Sequence, residues 1–229
     1  MTLRKINIGC GFDKRPGYVN VDMDPKTSPD ILVEDIEFSN IPRKSFVEVL
    51  AYDVLEHIKR AETPGALLEW ADLLEMDGVL DLETSNVMAI VDLMRTHESY
   101  HMHAGYTVFM FGNQNHPGDF HHTGFTDRTL KVQVLAAGFE IEEFQERGGW
   151  LYWLRARKVF DWTAPLDESL SDEQFVVQAW RQALWREAPE IYLNSLVREL
   201  GTGRSRRSVL KQLFSSEERR SRTAVKHNL

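Results

Sequence analysis

One cysteine in 229 residues, Cys10, rules out an internal disulfide framework. No apolar run approaches the roughly 18 residues needed to cross a bilayer, and the N-terminus lacks the apolar stretch of a secretory signal. A cytoplasmic location is therefore expected. A third small residue is missing after Gly9-Cys10-Gly11: the dinucleotide fingerprint G-x-G-x-x-G/A places it where this chain has Lys14, which disfavours NAD and FAD. There is no G-x-x-x-x-G-K-[ST] either, so a P-loop is disfavoured. Positive charge is short, with 27 Lys and Arg against 35 Asp and Glu and a net charge of −8. From Arg198 onward there are nine basic and three acidic residues, net +6; the preceding residues carry 18 and 32, net −14. The body is a poor nucleic-acid surface and no nucleic-acid partner is expected. The basic C-terminal stretch is either a solvated helix face or a peripheral contact for anionic lipid, polysaccharide or a protein partner.

What is present starts at Ile6-Asn7-Ile8-Gly9-Cys10-Gly11, an apolar strand that runs into a glycine turn, and continues at Tyr18-Val19-Asn20-Val21-Asp22, a strand ending in an acid. Gly9 and Gly11 lack a Cβ, so the backbone can take positive φ and let a ligand approach. Asp22 is placed to accept from two ribose hydroxyls. Together they cup an adenosine-type cofactor. Residues 9–17 are too few for the usual helical crossover. The first helix is shortened or lost, and a phosphate would miss its N-terminal donors. S-adenosylmethionine (SAM) carries no phosphate and suits such a turn.

Leu3–Ile8, Tyr18–Val21 and Asp30–Glu34 read as three strands, and the near-continuous apolar run Phe46–Tyr52 as a central strand buried on both faces. Pro64 opens a helix carrying Leu67, Leu68, Ala71 and Leu74 at helical spacing, with Gly78 at its end and Val79–Glu83 as the next strand. Thr126 caps a helix through Ala137 that Gly138 stops. Phe139–Phe144 and Trp150–Ala156 form a hairpin about Arg147-Gly148-Gly149. The expected class is α/β: a Rossmann-like, mainly parallel, seven-stranded sheet with helices on both faces, closed by a C-terminal antiparallel hairpin strand and followed by a small helical appendage. The expected division is 1–160 for the cofactor-binding domain and 165–229 for an all-helical module.

Residues 84–126 form a long insertion after a sheet strand, holding six of the eight histidines: His97, His101, His103, His116, His121 and His122. A connection this long is usually functional. It leaves the carboxyl end of a strand, where α/β folds bind ligands, and is the expected acceptor-binding lid.

The chain resembles class I SAM-dependent methyltransferases, and most of all the compact group of polysaccharide (O-antigen and surface-glycan) gene clusters. The resemblance rests on Ile6–Gly11, Val19–Asp22, Asp53-Val54-Leu55-Glu56-His57-Ile58 and His116–Thr126, and covers roughly residues 3 to 158. It implies that Gly9, Cys10 and Gly11 contact the methionine part of SAM and that Asp22 takes the ribose. It also implies that Met23 packs on the adenine, with Asp35 and Ile36 near the adenine amino group. Asp53 stands where related sequences often have His, and Glu83-Thr84-Ser85-Asn86 where a Pro-Asn ending is more usual. Both departures lie beside the acceptor site.

Methyl transfer to a hydroxyl needs positioning and removal of one proton, and a histidine is matched to that task near neutral pH. His121 is the favoured base and His122 the second. Asp53 orients that histidine, binds the acceptor or acts as base itself, and also borders the cofactor. His57 lines the same site or makes a structural hydrogen bond. Glu56 shapes the pocket. A divalent metal is not favoured: His101 with His103, or His116 with Asp119 and His121, supply suitable ligand types, but the spacing matches no strong zinc signature.

In the C-terminal stretch, Ser171-Asp172-Glu173-Gln174 reads as a capping box. An apolar helical stripe follows from Phe175 to Leu184, then a helix opened by Pro189 and helical residues 205–222. The stretch is similar to a helical domain attached to bacterial glycan-processing and surface-layer proteins, through Phe175, residues 180–186 and 214–218. It covers a sheet edge, makes a homodimer or meets a glycan-assembly enzyme. The expected function is a SAM-dependent O-methyltransferase acting on a sugar hydroxyl of a polysaccharide or glycolipid. The alternatives are a small-molecule methyltransferase and a non-catalytic SAM-binding scaffold.

Overall fold

The structure is a computed structural model that describes residues 4–33, 35, 37–164 and 168–229. Seven strands form one sheet: β1 Lys5–Ile8, β2 Tyr18–Asp22, β3 Ile31–Leu32, β4 Phe46–Tyr52, β5 Leu74–Ser85, β6 Phe139–Arg147 and β7 Leu151–Lys158. Their order is β3-β2-β1-β4-β5-β7-β6. The first five are mutually parallel, and β7 runs antiparallel to both β5 and β6. The expected α/β class, seven strands and antiparallel closing strand are all present. Gly148 and Gly149, both at positive φ, turn the chain from β6 into β7.

The inner strands alternate between two faces. Ile6, Ile8, Val21, Val49, Ala51, Leu80, Leu82, Leu154 and Ala156 are buried in the main core. Helices α1 Thr63–Leu73 and α4 Asp127–Ala136 follow β4 and β5 and pack on β5 and β6 respectively. Pro64 lies in the first turn of α1, and Thr126 caps α4 in a reciprocal box with Thr129.

Among the described residues the helices packed on the sheet lie on one face, where two covered faces were expected. Right-handed crossovers put the β1–β2 and β2–β3 connections on the opposite face. The first contains no helix, and the second has only the 3-10 turn Pro25–Thr27. That face instead carries polar side chains paired between strands. Lys5 bridges Glu48 at 2.9 Å, and Tyr52 and Trp153 both donate to Asp81 at 2.7 Å. Arg147 lies 3.6 Å over the Trp153 ring.

Three boundaries also differ. Gly78 does not end the first helix: α1 stops at Leu73, β5 starts at Leu74, and Gly78 sits inside that strand after an irregularity in its pairing with β4. Strand β3 is two residues long, and Glu34 lies outside the described residues. Residues 205–222 are not one helix. Ser216 caps a new one, so α7 Arg206–Phe214 and α8 Glu217–His227 are separate. With α5 Asp172–Leu184 and α6 Glu190–Gly201 they make the C-terminal helices, and the Ser171 box is formed.

Three of these helices share one apolar core with the sheet: α5 through Phe175, Val176 and Ala179, α6 through Leu196, and α7 through Val209, Leu210, Leu213 and Phe214. Several basic residues of the four helices pair with acids, while Arg198 and Lys226 stay exposed. Arg207 bridges the buried Glu69 and Asp72 of α1 at 2.7 and 2.8 Å, and Lys211 reaches Glu69 and Glu37. Arg206 pairs with Asp172, and Arg222 with Glu218. Among the described residues no helix is long and apolar enough to cross a membrane.

Candidate active site

The insertion after β5 folds as α2 Val87–Thr96, α3 Tyr100–Phe111 and a return segment to Phe125. The return segment runs past Leu55–His57, a 3-10 turn just after β4, so the glycine turn, the Asp53–His57 stretch and the lid meet at the carboxyl end of the parallel strands.

Gly9 and Gly11 take φ of 62° and 50°. A Cβ on Gly9 would lie 2.5 Å from Val54 Cγ2, so the turn has room for glycine alone against the chain that follows β4. Cys10 is buried between them, its amide donating to Val21 O at 3.0 Å. Burial, then the charge of Asp22, raises its thiol pKa, which suits an apolar filler and not a nucleophile. Asp22 accepts from Gly11 N at 2.7 Å and Asp24 N at 2.8 Å. A carboxylate offers about four acceptor positions, so two remain for ribose hydroxyls. Met23 is 58% exposed beside it and Phe12 85% exposed on the turn, both free to meet a flat ring. Asp35 is exposed and accepts from Glu37 N at 2.8 Å. Ile36 lies outside the described residues. A cradle that excludes side chains and an acid with spare acceptor capacity fit the methionine and ribose parts of SAM.

Asp53 adopts φ of 53°, which few non-glycine residues do. Its amide donates to Glu83 O at 3.1 Å. The residue is exposed at the mouth, yet protein atoms crowd its carboxyl. That desolvation, then the charge of Glu56, raises its pKa to about 6 against a lowering pull from His57. Glu83 is raised too, by burial and by Asp53.

His57 and His121 meet edge to face, ring centroids 4.7 Å apart at 84°. His57 Nδ1 lies 3.1 Å from Phe120 O, and His121 Nδ1 lies 3.0 Å from Phe109 O. A carbonyl only accepts, so each Nδ1 carries its proton, and the Nε2 of His121 offers a lone pair when that ring is neutral. Desolvation, then His57, lowers the pKa of His121. The ring is thus held as a neutral base. His122 is exposed, its ring against Phe120 with centroids 6.1 Å apart, and only its backbone enters the site. The structure therefore brings His57, His121 and Asp53 together and leaves the His122 ring outside.

The sequence reading gave Glu56 a pocket-shaping role and missed the hydrogen bonds that make it the hub of this arrangement. Glu56 is 1% exposed and accepts from Thr84 Oγ1 at 2.8 Å, Ser85 Oγ at 3.0 Å and Ser85 N at 3.2 Å. Its backbone carbonyl accepts from His122 N at 2.8 Å and Thr123 N at 3.1 Å. The adjacent hydroxyls of Thr84-Ser85 at a strand end were the available signal. The apolar lid surface was also unforeseen: Met88, Phe111 and Phe120 are 49, 52 and 38% exposed.

Neither histidine set considered for a metal assembles. His116 pairs with Asp119 at 2.9 Å while His121 turns to Phe109 O, and His103 Nε2 lies 2.5 Å from His97 O. Among the described residues no three His, Cys, Asp or Glu side chains form a group that could hold a metal ion.

No protein-family model matches the chain, and neither does any curated protein. Solved structures do. A SAM-dependent methyltransferase from Methanosarcina mazei aligns over 70% of this chain and 94% of its own, at 17% identity and a TM-score of 0.51. The fold is that of SAM-dependent methyltransferases. A Bordetella parapertussis protein described as a possible exported protein aligns at 15% identity and a TM-score of 0.49, and the chain spans 64% of its length. Burkholderia thailandensis 1,6-didemethyltoxoflavin-N1-methyltransferase, with bound 1,6-didemethyltoxoflavin and S-adenosylhomocysteine, aligns over 69% of this chain and 71% of its own at 15% identity and a TM-score of 0.47.

Proposed function

We propose that the protein is a SAM-dependent O-methyltransferase acting on a sugar hydroxyl of a polysaccharide or glycolipid. The observation that carries this is the convergence of the glycine turn, Asp22 and the edge-to-face His57–His121 pair at one edge of a methyltransferase-type sheet. SAM supplies a sulfonium-bound, electrophilic methyl group. Gly9, Cys10 and Gly11 border its methionine part, Asp22 takes the ribose, and Met23 and Asp35 border the adenine. His121 takes the acceptor proton at Nε2, while its Nδ1–H stays on Phe109 O. His57 steadies the His121 ring, and Asp53 holds the acceptor where cofactor and lid meet. Residues 1–160 form the catalytic unit. Residues 165–229 are the helical unit, which braces it and offers a site for a second copy or a glycan-assembly enzyme. The lid histidines and the residues that depart from the usual motif favour a polar acceptor. The exposed Met88, Phe111 and Phe120 favour a second reading, a small aromatic acceptor.

The deciding experiment is calorimetric titration with S-adenosylhomocysteine, with Asp22→Ala in parallel. Micromolar binding that Asp22→Ala weakens by a factor of ~10 or more supports the cofactor assignment. Absence of binding removes the methyltransferase reading. With the cofactor in hand, methyl transfer to sugar glycosides against phenolic acceptors separates the two acceptor classes.

A further inference from the structure

We infer that Glu56 is a positioning residue that holds His57 and His121 in register with Asp53, its buried carboxylate gripping the end of β5 and its backbone carbonyl gripping the lid return. This deepens the methyltransferase reading and takes its functional meaning from it. A carboxylate removed from water is expensive unless its lone pairs are satisfied. The carboxylate of Glu56 accepts three donors, all from Thr84 and Ser85 at the end of β5. Its backbone carbonyl holds the lid's return segment through His122 N and Thr123 N. Thr123 Oγ1 adds a bond to Ile58 O at 2.7 Å. His121 is the residue before this anchored pair, and His57 is the residue after Glu56. The edge-to-face contact of the two rings is thus set by a clamp one residue from each.

The clamp also acts by charge. The groups that face Asp53 are Glu56 and His57 on the 3-10 turn and Glu83 on β5, which pairs at 3.9 Å with Arg147 of the hairpin. His121 on the lid return faces His57. Glu56 opposes ionisation of Asp53 and is itself fixed by hydrogen bonds, so its influence does not depend on side-chain motion. The carboxyl of Asp53 is thereby kept able to hold or accept a proton close to neutrality.

Glu56→Gln tests this in the full chain. It keeps the shape and removes the charge, and its amide nitrogen cannot accept from Thr84 or Ser85. The readouts are the NMR titration of the Asp53 carboxyl carbon, the cross-relaxation between the His57 and His121 rings, S-adenosylhomocysteine affinity, and kcat against KM. We expect the Asp53 midpoint to fall by more than about half a unit, as removal of a neighbouring like charge requires. The ring–ring contact should weaken. If methyl transfer is the activity, kcat should fall ~10-fold or more with KM for SAM little changed, as for a misplaced reacting group. A folded variant with an unmoved Asp53 midpoint and intact ring contact would overturn the inference. If the wild type fails to bind S-adenosylhomocysteine, the methyltransferase reading falls, while the two NMR readouts still judge Glu56. If Glu56→Gln does not fold, Thr84→Val removes one of the three donors at constant shape. It should weaken the ring contact, and an unchanged contact would overturn the proposal.

Discussion

The pKa of Asp53 is raised to about 6 and that of His121 is pushed below its usual value, which removes the clear separation of free side chains, so the base must be found by substitution. A base works deprotonated, and lowering the pKa of His121 moves the acid limb of kcat to below the ordinary histidine value of about 6.5. With His121 as base, Asp53→Asn leaves that limb in place, and a stopped pH–rate series decides. His121→Ala should lower kcat by ~10²-fold or more, the usual effect of removing a general base, with SAM affinity preserved. His122→Ala should change little, because its ring faces outward. Asp53 also affects stability. Its folded pKa exceeds its unfolded value, so the ionised form is disfavoured by folding above about pH 6, and the penalty vanishes below about pH 4. Asparagine tolerates the positive φ. Asp53→Asn should therefore raise Tm near pH 8 and leave it unchanged near pH 4, as thermal melts at the two pH values would show.

Among the elements, the glycine turn admits the least variation. Gly9→Ala adds a Cβ 2.5 Å from Val54 at a φ that alanine avoids. Urea unfolding should show a loss of ~1–3 kcal/mol, typical of imposed backbone strain, and S-adenosylhomocysteine binding should disappear with it. This element was legible in sequence because its signals are local: Gly9, Gly11 and Asp22 lie within fourteen residues. The missing first helix was legible because the distance from Gly11 to Tyr18 leaves no room for one. The bare polar face of the sheet was not, since it depends on the β1–β2 and β2–β3 crossovers both being too short at once. Gly78 misled because glycine ends helices more often than it relieves a strand irregularity. Of the site, Asp53, His57 and His121 were readable from the motifs they sit in. The exclusion of the His122 ring was not, because adjacent residues on an extended segment point to opposite sides. The role of Glu56 needed the pairing of residues 28 and 29 positions apart.

At the scale of the molecule, Arg219 is the bolt between the C-terminal helices and the sheet-covering layer. It is 5% exposed, donates to Ala136 O and Ala183 O, and lies 4.2 Å over the Trp185 ring. Burial brings its pKa down to about 10, still charged at neutral pH. Arg219→Ala should cost ~2–3 kcal/mol, measurable by denaturant titration, because it removes two charged hydrogen bonds and the cation's stacking on Trp185 at once. A chain ending after residue 160 should aggregate, which light scattering would detect, because Trp162, Phe175, Val209 and Phe214 complete the apolar core that the sheet and α1 begin.

That shared core imposes an order on synthesis. The ribosome releases every residue of the glycine turn, the Asp53–His57 stretch and the lid before it makes Phe214. Until α7 and α8 emerge, those residues sit on a sheet whose α1 layer is open to water and whose Glu69 and Asp72 lack Arg207 and Lys211. The nascent chain thus holds a complete set of site residues with no settled place for them, a stretch in which chaperones would find exposed apolar surface. Chains stopped before Phe214 should therefore fail to bind S-adenosylhomocysteine, and chains carried past α8 should bind it, as a truncation series would show.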